Sequence, residues 1–115
     1  MSVRALVKSA QREVLNAGDL LPERAAELLV TLASIFGNVL DEIRAADMAY
    51  AKVLLKCLSE EERANRARIK AEISPEYQRK QEARDTKELV VELSRSLKYF
   101  LRAKEEERQL SRHQP

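Results

Sequence analysis

Residues 22–57 read PERAAELLVTLASIFGNVLDEIRAADMAYAKVLLKC, and Ala25, Leu29, Leu32, Phe36, Val39, Ile43, Ala46, Tyr50, Val53 and Cys57 recur there in alternating steps of four and three. That spacing lays all of them on one face of an α-helix and, sustained over so many turns, is the pattern of a coiled-coil seam. Pro22 suits the first helical position, where its missing N–H has no intrahelical bond to lose. The series continues weakly through Ala64, Ala67 and Ala71, and no strong stop occurs before Ser74-Pro75, which predicts one long helix over residues 22–73. Gly37-Asn38 is a place for this helix to bend, and Ser59 with Glu62 three residues later has the form of a capping box that would restart it.

Working outward, Val3, Val7, Ala10, Val14 and Ala17 share one face of a helix over residues 2–17, which Gly18-Asp19 ends. On the other side Ser74 as N-cap, Pro75 at the first position and Glu76 in the first turn open a helix over residues 75–110. Its apolar face is Thr86, Val90, Leu93, Leu97 and Phe100, and residues 111–115 read as a tail. Two glycines and three prolines leave few sites for tight turns, and 35% charged residues is the composition of long helices. The expectation is therefore an all-α chain forming a single domain over residues 1–115. It would be a long antiparallel helical hairpin of coiled-coil type, with an additional N-terminal helix.

A hairpin closing at Ser74-Pro75 would set Thr86 to Phe100 against only Ala49 to Arg63, while the first helix, folding back near Asp19, would cover only Arg24 to Asn38. Each half of the long helix would then have one partner. Yet its apolar surface is broader than a seam, with Leu28, Ile35 and Ala49 on one flank and Ala33, Leu40 and Leu54 on the other. A second subunit is the simplest supplier of the missing cover. The expected oligomer interface is Leu28, Leu32, Ile35, Val39, Leu40, Ile43 and Leu54.

Residue types exclude most chemistry. The only histidine, His113, falls in the expected tail, so no His-based triad or His-rich metal site can be built in one subunit. Gly18 and Gly37 make no phosphate-cradling loop, and the acidic groups Glu60-Glu61-Glu62, Glu23/Glu27 and Glu88/Glu92 read as solvated helix faces and caps. Cys57 falls on a core position and reads as a small buried residue. No enzyme activity, cofactor, metal or small-molecule substrate is expected. Leu28 to Leu40 is too short and too interrupted to cross a bilayer, and Ser2 to Leu15 carries too many charges for a secretory signal, so the expected location is the cytoplasm.

Net charge is +2, and it lies wholly in residues 59–115, with 14 basic against 12 acidic side chains, since residues 1–58 balance at seven each. Residues 63–87 concentrate eight basic groups (Arg63, Arg66, Arg68, Lys70, Arg79, Lys80, Arg84, Lys87) against four acidic ones. Arg63, Arg66 and Lys70 share one helical face, as do Lys80, Arg84 and Lys87. A fold at Ser74 would bring the two rows together as a basic tip, with Tyr77 at the turn offering a ring to an unpaired base.

The stretch from Tyr50 to Arg112, a little over half of the chain, resembles the UvsY-like recombination mediators, small helical proteins of phage recombination cassettes. The matching features are Tyr50-Ala51-Lys52-Val53-Leu54, the Arg/Ala-rich segment Arg63 to Glu72, Tyr77, and Leu97-Lys98 with Leu101 before the charged end at Arg112. The resemblance implies a ring-like homo-oligomer that binds single-stranded DNA and helps load a recombinase, in the cytoplasm of a bacterial host if phage-encoded. Two functions thus stand side by side. One is a non-enzymatic homo-oligomer holding single-stranded nucleic acid at its basic tips. The alternative is a protein-interaction module (an adaptor, chaperone or inhibitor) whose apolar stripe takes a partner helix.

Overall fold

The computed structural model describes residues 2–113, and among them every regular element is helical: α1 (Val3–Leu15), a 3-10 turn (Ala17–Asp19), α2 (Pro22–Glu60), α3 (Ala64–Glu72) and α4 (Pro75–His113). The all-α class, the hairpin of long helices and the additional N-terminal helix are as the periodicity predicts. Residues 111–113 of the expected tail continue α4, and residues 114–115 lie outside the described residues.

The boundaries of the long helix differ from the expectation. α2 stops at Glu60 and the chain turns over residues 61–63. The physical reason is electrostatic: Glu60, Glu61 and Glu62 crowd the negative end of the α2 dipole, whose last turn holds no basic residue, whereas the same charges suit the positive N-terminus of α3. The capping box does not form. The Ser59 hydroxyl instead donates back to the Lys56 carbonyl at 2.7 Å, and Arg63 precedes α3 as its N-cap without a side-chain cap hydrogen bond. Gly37-Asn38 leaves α2 unbroken.

Ser74-Pro75 is consequently not the hairpin turn. Its cap is as expected, the Ser74 hydroxyl accepting from the Tyr77 N–H at 3.2 Å, but the chain passes through it without reversing. As the sequence advances from Lys70 to Arg84, its partners lie earlier along α2, the long Arg79 side chain reaching past its neighbours to Glu42. Lys70 meets Glu60 at 3.3 Å, the Tyr77 ring lies 5.3 Å from that of Tyr50, and Arg84 meets Asp47 at 3.0 Å. α3 and the start of α4 thus run together antiparallel to α2, and the reversal is at residues 61–63.

The chain divides into two compact units, residues 1–36 with 88–115, and residues 37–87. In the first, α2 has two neighbours in the chain, α1 and the later part of α4. Large side chains make this core: Val7, Leu28, Leu32, Val90, Leu93 and Leu97 are buried, Leu32 and Leu97 almost completely. Glu13 of α1 receives two hydrogen bonds from the Arg24 guanidinium, at 2.7 and 2.8 Å, where the chain folds back after the 3-10 turn. The second unit is built on small residues. Ala46, Cys57, Ala67, Ala71 and Ala83 are buried, and Tyr50, Val53 and Leu54 pack beside the Cys57, Ala67 and Ala71 cluster. Such residues let helix axes approach toward the short end of the usual ~8–10 Å range. Thr86 is buried with its hydroxyl returned to the Glu82 carbonyl at 2.8 Å.

Two substitutions on α2 should move stability in opposite directions. Leu32→Ala removes a fully buried side chain and should cost about 2–5 kcal/mol. A Cβ on Gly37 meets nothing within 4 Å, so Gly37→Ala should add roughly 0.5–1 kcal/mol by removing a helix-interior glycine. Urea denaturation followed by circular dichroism measures both.

Candidate functional site

Two surfaces carry the functional candidates: the run of basic residues in the second unit and an apolar groove in the first. The displaced turn reorganises the basic run. The row Arg63, Arg66, Lys70 and the row Lys80, Arg84, Lys87 follow each other along the returning arm of the hairpin instead of facing across a tip. Around the true turn the acids Glu60, Glu61 and Glu62 stand among the cations.

Most of the expected nucleic-acid contacts are engaged within the chain. Lys70 bridges Glu60 and Glu61 at 3.3 and 3.8 Å, Arg79 pairs with Glu42, and Arg84 with Asp47, whose second oxygen is buried without a partner. The hydrogen bond to Glu60 holds the Lys70 ammonium above its ordinary pKa, and that to Glu42 does the same for Arg79. Lys80 lies over the Tyr50 ring, 4.6 Å from its centroid. Tyr77 is half-buried against Tyr50, and its hydroxyl accepts from the Gln81 amide at 2.7 Å. Partial burial, with Glu72 nearby, pushes the Tyr50 phenol pKa up, so that ring is a packed member of the hairpin. The exposed charges left are Arg63, Arg66, Arg68 and Lys87. Of these, Arg63 and Arg66 edge a shallow concavity of ≈ 610 Å³ shared with Asn65 and Ile69.

The expected oligomer interface is divided by the fold. Leu28, Leu32 and Val39 are 4%, 1% and 2% exposed and belong to the chain's own core, so a second subunit cannot reach them without opening the protomer. Within the chain α1 and α4 both pack on α2, which is what buries these three residues. Ile35, Leu40, Ile43 and Leu54 are half-buried.

One flank of the first unit's helix pair stays open. Leu29, Val30, Ala33 and Phe36 of α2 face Val91, Ser94, Arg95 and Lys98 of α4 across a groove of ≈ 720 Å³, floored by the buried Leu32 and Val90. Val30 is 69% and Val91 41% exposed, so the apolar surface extends from floor to lip. Its charged residues, Arg95 and Lys98, are both cationic and exposed, and neither has an ion pair or hydrogen bond among the described residues. The periodicity flagged Ala33 as part of an uncovered flank. It missed the α4 wall, because Val91, Arg95 and Lys98 come opposite Leu29 to Phe36 only when the turn is at residues 61–63.

Among the described residues no group of three or more His, Cys, Asp or Glu side chains is arranged to hold a metal, and no helix is long and apolar enough to cross a membrane. Cys57 is a free, buried thiol. Fold and surface together define an all-α helical hairpin with an open apolar flank. The chain matches no protein-family model, no curated protein and no solved structure.

The Glu13–Arg24 pair ties α1 to α2 and has a definite pH signature. The guanidinium holds the Glu13 carboxyl below its usual pKa, so the pair's contribution is present above the ordinary carboxylate range and lost as pH falls through the lowered value. Wild type should therefore melt slightly higher than Glu13→Gln near neutrality, with the gap closing in strong acid. Melting temperatures of the two proteins across that range provide the check. The effect should be small, because both side chains are more than a third exposed.

Proposed function

We propose that this protein is a non-enzymatic helical interaction module whose open α2–α4 groove receives a helix from a partner protein. The observation that carries it is the exposure of Val30 and Val91 on opposite lips of a groove lined mainly by apolar side chains. Water-facing apolar surface of this kind is unfavourable unless covered, and two parallel walls of side chains fit the ridge of an amphipathic helix. Apolar side chains at i, i+3, i+4 and i+7 of the partner would fill the space between Leu29, Phe36 and Val91, as in the helix-in-groove mode of recognition.

Selection from a displayed library of helical peptides tests this directly. Binders should carry that apolar spacing, and Val30→Asp with Val91→Asp should weaken them at least tenfold without loss of helicity, because both positions are exposed. A library that yields no binder, or binders indifferent to the double substitution, rejects the groove as the binding surface.

A second function keeps support from Arg63 and Arg66. These exposed cations border a concavity near the turn, the arrangement that would hold a phosphate of single-stranded nucleic acid, as the resemblance to recombination mediators implies. Fluorescence anisotropy with labelled oligothymidine at low salt should then show binding that Arg63→Glu with Arg66→Glu removes. Unchanged anisotropy in the wild type rejects it.

A further inference from the structure

Charge at the groove specifies which helix it takes. The open lips differ: on α2 the exposed positions Val30 and Ala33 are uncharged, whereas on α4 the exposed Arg95 and Lys98 stand beside Val91. Several cations elsewhere in the molecule are engaged. Arg24 is held by Glu13 and Glu27, Lys70 by Glu60 and Glu61, Arg79 by Glu42 and Arg84 by Asp47. Arg95 and Lys98 keep their donors free at the edge of an apolar surface, where an incoming helix would partly exclude water and strengthen any ion pair it made.

We infer that the groove's occupant is an amphipathic helix of another protein, with acidic side chains along the edge that lies over α4. This rests on the proposed groove function and deepens it. The occupant's apolar face would lie between Leu29, Phe36 and Val91, and its Glu or Asp residues, one helical turn apart, would meet Arg95 and Lys98, themselves three residues apart on one helix face. Over Val30 and Ala33 the same helix needs no charge. A second copy of this chain is a poorer occupant. The exposed residues of its α1 include Lys8 and Arg12, which would set cation against cation, and its own groove repeats Arg95 and Lys98.

The test uses three acetylated, fluorescein-labelled helical peptides with one apolar face, selected as above, and Glu, Gln or Lys at the edge positions. At low salt the Glu peptide should bind the full-length protein about three- to tenfold more tightly than the Gln peptide, the range for two exposed charge pairs, and the Lys peptide most weakly. Raising salt should draw the three together. In Arg95→Glu with Lys98→Glu, two exposed positions whose replacement should leave circular dichroism unchanged, the order should invert. Equal affinities for the three peptides, or an order unaffected by the charge reversal, overturn the acidic-edge inference while the groove function survives. Failure of all three to bind overturns both. A dimeric mass by light scattering that Val30→Asp with Val91→Asp converts to monomer would assign the groove to a second copy and overturn the inference.

Discussion

The turn at residues 61–63 is the constraint on which the rest of the structure depends. Three consecutive glutamates end α2, because carboxylates at a helix C-terminus oppose the dipole, while the start of the next helix and Lys70 draw the same charges round the bend. No glycine or proline marks the reversal. Once it is placed there, α3 and much of α4 come to lie against definite stretches of α2. Lys70 reaches the end of that helix, Tyr77 packs on Tyr50, and Val91 and Lys98 come to lie across from Leu29 to Phe36. A reversal at Ser74 would have left α4 too short to reach the beginning of α2.

Core composition then separates the two units. In residues 37–87 the buried positions are mostly alanine, with Val39, Cys57 and Thr86, so close approach of the helices largely takes the place of side-chain volume. Small side chains bury little apolar area each, and the ion pairs from Arg79 to Glu42 and Arg84 to Asp47 add little stability, since every one of these side chains is more than a third exposed. In the first unit leucine and valine fill the space between helices and α1 covers one flank of α2. Cover on one flank and none on the other is what turns an ordinary helix pair into a groove.

Much of this was legible in the sequence. The class, the N-terminal helix, the start of α2 at Pro22 and the Ser74 cap followed from spacing and punctuation, because each depends on residues close together in the chain. The turn was not. Ser74-Pro75 carries the strongest local stop signal after residue 22, but a proline at the first position of a helix needs only a short break before it, and Ile73 and Ser74 still bond back to Ile69 and Ala71. The glutamate run was read as a solvated face and a restarting cap, although its strongest effect is on the helix it ends. That one displacement carried Leu28, Leu32 and Val39 from an expected interface into the core, and separated the basic rows that were expected to meet.

The fate of the cations bears on the two proposed kinds of partner. A phosphate backbone is held by side chains that exchange counterions for phosphate, and a guanidinium already paired with Glu42 or Asp47 must first give up that bond. Eight basic residues between Arg63 and Lys87 therefore overstate the field available to a polyanion, because half of them are engaged with acids or with the Tyr50 ring. Around the groove the balance is reversed. Two cations with free donors border an apolar surface that water covers poorly, and electrostatic attraction there adds to burial instead of competing with an internal pair. Local charge, counted after intramolecular pairing, thus supports the proposal of a helix with an acidic edge at the groove.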